Sequence, residues 1–261
     1  MPCAGVTVPP PGLASNSIVP FLVDKQAWNA LYSLKPLLPG QTVVVQGTGG
    51  VSIFALQIAH AAGATVIATS SSDKNLEIAK SLGADHLINY STTPQWSRPV
   101  REITKGRGAD HIIDVGGQST IAESFKAIKF GGVIDQIGML PSKGEVEKVD
   151  ASVRAIQTQG ILRGILVGGK DVFEDLIRGL EKGRWRPVVD KGFNFGDARE
   201  AFEYLKVRSD EIRKRANIIE SKTFGKGGYS CFLESIQPIP AVHCRKKAIC
   251  HETKFDPIII H

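Results

Sequence analysis

The sequence predicts an α/β protein built around a doubly wound parallel sheet. Three observations carry this. Strand-length apolar runs alternate with helical patterns from Ala27 to Lys206, a glycine-rich turn separates the first strand from the helix behind it, and no repeat of solenoid type is visible.

Trp28, Leu31, Tyr32 and Leu34 recur at helical spacing, so a helix is expected over Ala27 to Leu38, ended by Pro36 and Pro39-Gly40. Val43 to Val45 is apolar without alternation, as a strand buried on both faces requires. Val51, Phe54, Ala55, Ile58, Ala59 and Ala62 then mark one face of a helix, and Thr65 to Thr69 reads as a second strand. The alternation continues with a helix at Asp73 to Leu82, stopped by Gly83, a strand at His86 to Tyr90 and a helix at Trp96 to Thr104. Strands at Asp110 to Val115, Val133 to Ile137 and Ile161 to Val167 follow, with helices over Thr120 to Lys129, Val172 to Lys182 and Ala198 to Lys206. The proline run Pro9-Pro10-Pro11 and the aperiodic residues around it leave 1–26 irregular, and 207–261 carries no pattern either. The expected organisation is therefore an irregular segment 1–26, an α/β domain 27–206 and an irregular basic tail 207–261.

With 42% hydrophobic and 22% charged residues in 261, the composition is that of a globular protein with a sizeable core. There is no run of eighteen apolar residues and no basic stretch leading into an apolar one near Met1, so no membrane association is expected and the cytoplasm is the expected compartment. The tail 207–261 holds ten Lys/Arg against six Asp/Glu, or +4 of the net +6, so the α/β body is nearly neutral. Arg213-Lys214-Arg215 and Arg245-Lys246-Lys247 are short and poor in aromatic neighbours, which argues against nucleic acid as a partner. Four cysteines without a CxxC pair make no disulfide framework. His243, Cys244, Cys250 and His251 lack chelating spacing, so no metal, zinc included, is expected in this chain.

Chemistry concentrates at Gly47-Thr48-Gly49-Gly50-Val51-Ser52, between the first strand and its helix. Amides at the positive end of a helix dipole suit a diphosphate, Gly47 permits the tight turn, and Gly49 lets the phosphates approach closely. Ser52 stands where the dinucleotide fingerprint ends in glycine or alanine. An acid about twenty residues beyond such glycines accepts hydrogen bonds from the adenosine ribose. Here that position is Ser70, followed by Ser71, Ser72, Asp73 and Lys74. The hydroxyl-rich loop with its lysine favours the ribose phosphate of NADP, with NAD as the alternative, and Asp73 is expected to cap the next helix. His60, His86 and His111 are read as structural, and no catalytic residue is assigned. Asp114, at a strand end, suits a turn-forming role or a ligand contact equally well.

VVVQGTGGVS at 43–52, AAGATVIATSSSDKNLEIAKSLGADHLINY at 61–90, GADHIIDVGG at 108–117, GGVIDQIG at 131–138 and RPVVDK at 186–191 resemble the medium-chain dehydrogenase/reductase superfamily, in its zinc-type alcohol dehydrogenase and quinone reductase-like branch. The resemblance implies a Rossmann domain that binds NADP(H) or NAD(H). It also implies hydride transfer between the nicotinamide and a small alcohol, carbonyl, quinone or enone substrate, and a homodimer formed through an edge strand. By that resemblance Gly47, Thr48, Gly49, Gly50 and Val51 face the pyrophosphate. Ser70, Ser71, Lys74 and Tyr90 surround the ribose phosphate, and Gly116, Ile137 and Gly138 line the nicotinamide path. Relatives precede this domain with a barrel-like catalytic domain that no stretch of this chain matches. Two activities are therefore expected in competition: an NADP-dependent oxidoreductase, or an inactive nucleotide-binding fragment. Val8 to Gln26 interrupts a family string, and we read it, like Val207 to Lys222, as a retained intron.

Overall fold

The computed structural model describes residues 23–139, 147–182, 188, 191–193, 195–204 and 258–260. It divides into two compact units between Asp190 and Lys191, inside the domain expected over 27–206. The first unit carries a six-stranded parallel sheet: β1 (Thr42–Gln46), β2 (Thr65–Ser70), β3 (His86–Asn89), β4 (Ala109–Asp114), β5 (Ile128–Gln136) and β6 (Ile161–Gly164). Their order is β3-β2-β1-β4-β5-β6, so the winding reverses between β1 and β4 and opens a crevice at the carboxyl ends of those two strands. The helices are α1 (Val23–Trp28), α2 (Gly50–Ala61), α3 (Asp73–Ser81), α4 (Ser97–Ile103), α5 (Ile121–Ala127), α6 (Ala151–Thr158) and α7 (Lys170–Lys182).

Every residue of β1 is buried, because both faces of the sheet are covered. Val43, Val45, Val66 and Ile113 pack with Leu31, Phe54, Ile58, Leu176 and Leu180 on one face. Val44, Ile67, Ile112 and Ile134 pack with Trp96, Val100 and Phe125 on the other. Burial of apolar side chains on this scale is the main force holding the layers together. In the second unit β7 (Lys191–Phe193) pairs antiparallel with β8 (Ile258–Ile260), and 198–204 is helical.

Several boundaries differ from the sequence reading. Helix α1 starts at Val23, inside the segment expected to be irregular, and continues as a π-helical turn over Asn29–Ser33. One turn ahead of Ala27 is too short for a 3.6-residue period to show. The helix expected to run to Lys129 stops at Ala127, and Ile128 already has strand geometry (φ −68°, ψ 145°). The pairing of β4 with β5 then jumps from Ala109↔Ile128 to His111↔Val133, so β5 bulges around Gly131, whose φ is +70°. Helix α6 was not expected. None of its side chains is fully buried, and its clearest signal is Asp150, which caps it by accepting from Ser152 N (3.0 Å) and Val153 N (3.1 Å). Strand β6 ends at Gly164 because its partner β5 ends opposite it at Gln136. The proline run, the part of the first interrupting segment before Val23, the second interrupting segment Val207 to Lys222, all four cysteines and the tail's His243 and His251 lie outside the described residues.

Candidate nucleotide-binding crevice

All twelve residues assigned from the sequence lie at or just beyond the carboxyl ends of strands. Gly47, Thr48 and Gly49 form the turn after β1, and Gly50 and Val51 begin α2. Gly47 has φ +72°, a conformation that side chains resist, and its N–H donates to Thr69 O at 2.8 Å, locking the turn to β2. Gly49 is the N-cap of α2, has no side-chain cap, and a Cβ there would meet nothing within 4 Å. The backbone ladder of α2 begins only at Ile53 N, which donates to Gly49 O at 2.9 Å, so the amides of Gly50, Val51 and Ser52 precede it with no capping side chain, beside the open space at Gly49. Ser52 turns away from that space and donates from Oγ to Gln46 O at 2.6 Å.

Opposite this turn, Gly116 follows β4, and Ile137 and Gly138 follow β5. The Ile137 and Gly138 amides both donate to Asp114 O, at 2.8 and 3.3 Å. Gly138 is held by sterics: a Cβ there would lie 1.9 Å from Val115 O. These residues form a second wall across the point where the winding reverses.

A second group gathers at the end of β2. Ser70 is buried, its O accepts from Tyr90 N at 3.0 Å, and its Oγ accepts from Ser72 N at 3.3 Å. Ser71, Lys74 and Tyr90 are exposed beside it. Asp73 does not cap the helix as expected. Ser72 occupies the N-cap, and the Asp73 carboxylate instead accepts from Asn89 Nδ2 at 2.7 Å, tying α3 to β3. β2 itself finishes in Ser70, and the Asp73 carboxylate is held by Asn89, the residue of β3 in register with Ser70.

The residue that sequence reasoning left open, Asp114, proves to be a hub. Its carboxylate accepts from Gly116 N (3.1 Å), Gly117 N (2.9 Å), Thr120 Oγ1 (2.7 Å), Ser124 Oγ (2.7 Å) and Gln46 Nε2 (3.2 Å). Gln46, Thr120 and Ser124 were not singled out at all. The only local signal was an aspartate two residues ahead of a glycine pair, which suits a turn.

Deeper in the sheet, two ionisable groups share a face. His111 is fully buried, neither ring nitrogen has a hydrogen-bond partner, and burial followed by the nearby Lys35 ammonium lowers its pKa to about 4. Asp135 is fully buried with no hydrogen bond to its carboxylate, and burial raises its pKa to about 7 against the pull of Arg163, 3.6 Å away. The Arg163 guanidinium donates instead to Asn29 O (3.0 Å) and Oδ1 (2.5 Å). Among the described residues no group of three His, Cys, Asp or Glu side chains is placed to hold a metal, and no helix is long and apolar enough to cross a membrane.

Residues 50–182 match the family model described as zinc-binding dehydrogenase. A zinc-type alcohol dehydrogenase-like protein of Schizosaccharomyces pombe is 42% identical over 181 residues, 68% of this chain and 52% of that protein. A solved structure from Sinorhizobium meliloti 1021, assigned as an alcohol dehydrogenase, superposes with a TM-score of 0.63 at 39% identity, over 71% of this chain and 53% of its own. A quinone oxidoreductase from Pseudomonas syringae pv. Tomato DC3000 does so with a TM-score of 0.59 at 25% identity, over 71% and 59%. The chain spans about half the length of the relatives it matches. With its sheet order, its glycine turn and these likenesses taken together, the chain belongs to the zinc-binding dehydrogenase family of the medium-chain dehydrogenase/reductase superfamily and corresponds to the C-terminal half of its members.

Proposed function

We propose that the crevice binds NADP(H) and that the protein acts as an NADP-dependent oxidoreductase on a small alcohol, carbonyl, quinone or enone. The observation that carries this reading is the uncapped start of α2 beside Gly49, where the space a side chain would fill is open. Gly47, Thr48, Gly49, Gly50 and Val51 would hold the diphosphate through backbone amides. Ser70, Ser71, Lys74 and Tyr90 would receive the ribose phosphate. The missing carboxylate at the end of β2 favours the phosphorylated cofactor, since an acid there would repel it, and Asp73 is already engaged by Asn89. Gly116, Ile137 and Gly138 would line the path of the nicotinamide, which when bound supplies or accepts the hydride. This chain's contribution is to orient that ring and to keep water from one side of it.

Nicotinamide fluorescence titrated with NADPH and NADH tests the binding: NADPH binds more tightly, and failure of both to bind at millimolar concentration overturns the reading. A second reading is a nucleotide-binding unit without turnover. Turnover needs the hydride donor and acceptor about 3–3.5 Å apart in a water-poor pocket, a stricter demand than binding alone. Consumption of NADPH over a panel of aldehydes, quinones and enones separates the two.

A further inference from the structure

We infer that Asp114 is a positioning residue that sets the spacing between the two walls of the crevice, an inference that rests on the nucleotide-binding reading above. Its Oδ1 takes the amides of Gly116 and Gly117 and the Thr120 hydroxyl, which together fold the turn after β4. Its Oδ2 takes the Ser124 hydroxyl and reaches across to Gln46, the residue immediately before the glycine turn. Ser124 Oγ in turn accepts from Gln46 Nε2 at 2.8 Å, so the three side chains form a closed triangle under the crevice floor. All three are buried.

The orientation of Gln46 follows from this carboxylate. Its Nε2 points at Asp114 while its buried Oε1 has no hydrogen-bond partner. Turning the amide over would set that oxygen against the carboxylate, so the donor side is the one that stays. From Gln46 the brace continues through the backbone, because Gln46 O accepts the Ser52 hydroxyl from the first turn of α2. One carboxylate therefore ties the diphosphate wall (Gly47 to Ser52) to the wall that carries Gly116. Through its own carbonyl Asp114 also takes the amides of Ile137 and Gly138. A dinucleotide spanning both walls feels their separation, whereas a ligand confined to the β2 side does not.

The test compares NADPH with adenosine 2′,5′-bisphosphate, a fragment that lacks the nicotinamide half, in the full chain and in Asp114→Asn. The asparagine keeps an acceptor for the turn after β4 but takes away the charge that holds Gln46 donor-first, leaving Gln46 Oε1 able to turn toward the new N–H, so it is read together with Gln46→Met, which leaves no partner on that side. The NADPH dissociation constant is expected to rise at least tenfold and that of the fragment by less than twofold, with the melting temperature recorded alongside. Gln46→Met, which removes only the crosslink, reproduces the split if Asp114→Asn fails to fold. Equal losses for both ligands mean a merely structural role and overturn the inference, as does an unchanged NADPH affinity in folded Gln46→Met. Wild-type protein that binds neither ligand overturns the nucleotide-binding reading itself and this inference with it.

Discussion

Asp110 and Asp114 stand at opposite ends of one buried strand, each almost wholly removed from water, yet the donors gathered around them differ in kind. Asp110 accepts from Lys129 Nζ at 2.6 Å and Thr42 N at 2.9 Å, with Arg107 at 3.7 Å. Burial alone would push its carboxyl pKa up, but these cations and the Thr42 amide outweigh that and hold it below the usual range. Asp114 is surrounded by amides, hydroxyls and the Gln46 side chain, all neutral. At the amino end of the sheet formal charges close the structure. At the carboxyl end, neutral donors shape two turns and leave the neighbouring amides facing open space. On the proposed function, the amino end should therefore govern stability and the carboxyl end affinity.

The largest expected effects lie in stability against pH. The folded pKa of His111, about 4, is below its ordinary 6.5, so its contribution is present above 6.5 and is lost as pH falls from 6.5 to 4. The folded pKa of Asp135, about 7, is above its ordinary 3.8, so its contribution is present below 3.8 and is lost as pH rises through 7. His111 is worth about 3 kcal/mol and Asp135 about 4 kcal/mol, and between pH 4 and 6.5 they oppose each other. Asp135→Asn should therefore leave stability that climbs from pH 4 to 6.5, and His111→Leu stability that falls from pH 4 to 7. Urea titrations at several pH values check both signs.

Next in size, Asp110→Ala should lower stability by about 2 kcal/mol, because Thr42 N–H loses its buried acceptor and Lys129 its partner. NADPH affinity should stay within twofold, and a larger change would break the division between the two ends. Gly49→Val should do the reverse. Its φ of −78° is ordinary and the space beside it is open, so the melting temperature should hold while NADPH affinity drops at least tenfold, about 1.4 kcal/mol. Ser70→Asp should move the ratio of NADPH to NADH affinity by roughly tenfold toward NADH, and an unchanged ratio would remove the serine loop from the phosphate site. Lys74→Ala, at an exposed position, should cost NADPH only about 0.5 kcal/mol and lose that effect at high salt.

Much of this arrangement was legible beforehand, for reasons that differ by residue. The unbroken burial of β1 was visible because Val43, Val44 and Val45 are consecutive apolar residues in a parallel sheet, and the turn was visible because few residues other than glycine adopt the φ of Gly47. Helix α6 escaped because an exposed helix needs no apolar stripe. Asp73 was read as a cap because a local role is the natural one for an acid near a helix start, whereas its partner, Asn89, lies sixteen residues away. Asp114 could be placed at a strand end but not given its donors.

By itself, then, the sequence determined the alternation of strands and helices, the glycine turn and the serine that ends β2, since each is written in residues adjacent along the chain. Tertiary structure alone decided that β1 lies between β2 and β4, and that Gln46 meets Asp114 across 68 residues of sequence. It also decided that the walls of the crevice share one carboxylate. Periodicity and turn chemistry act over a few residues, but the partner of a buried polar group is whichever donor the completed packing brings within hydrogen-bond reach, and no local pattern names it.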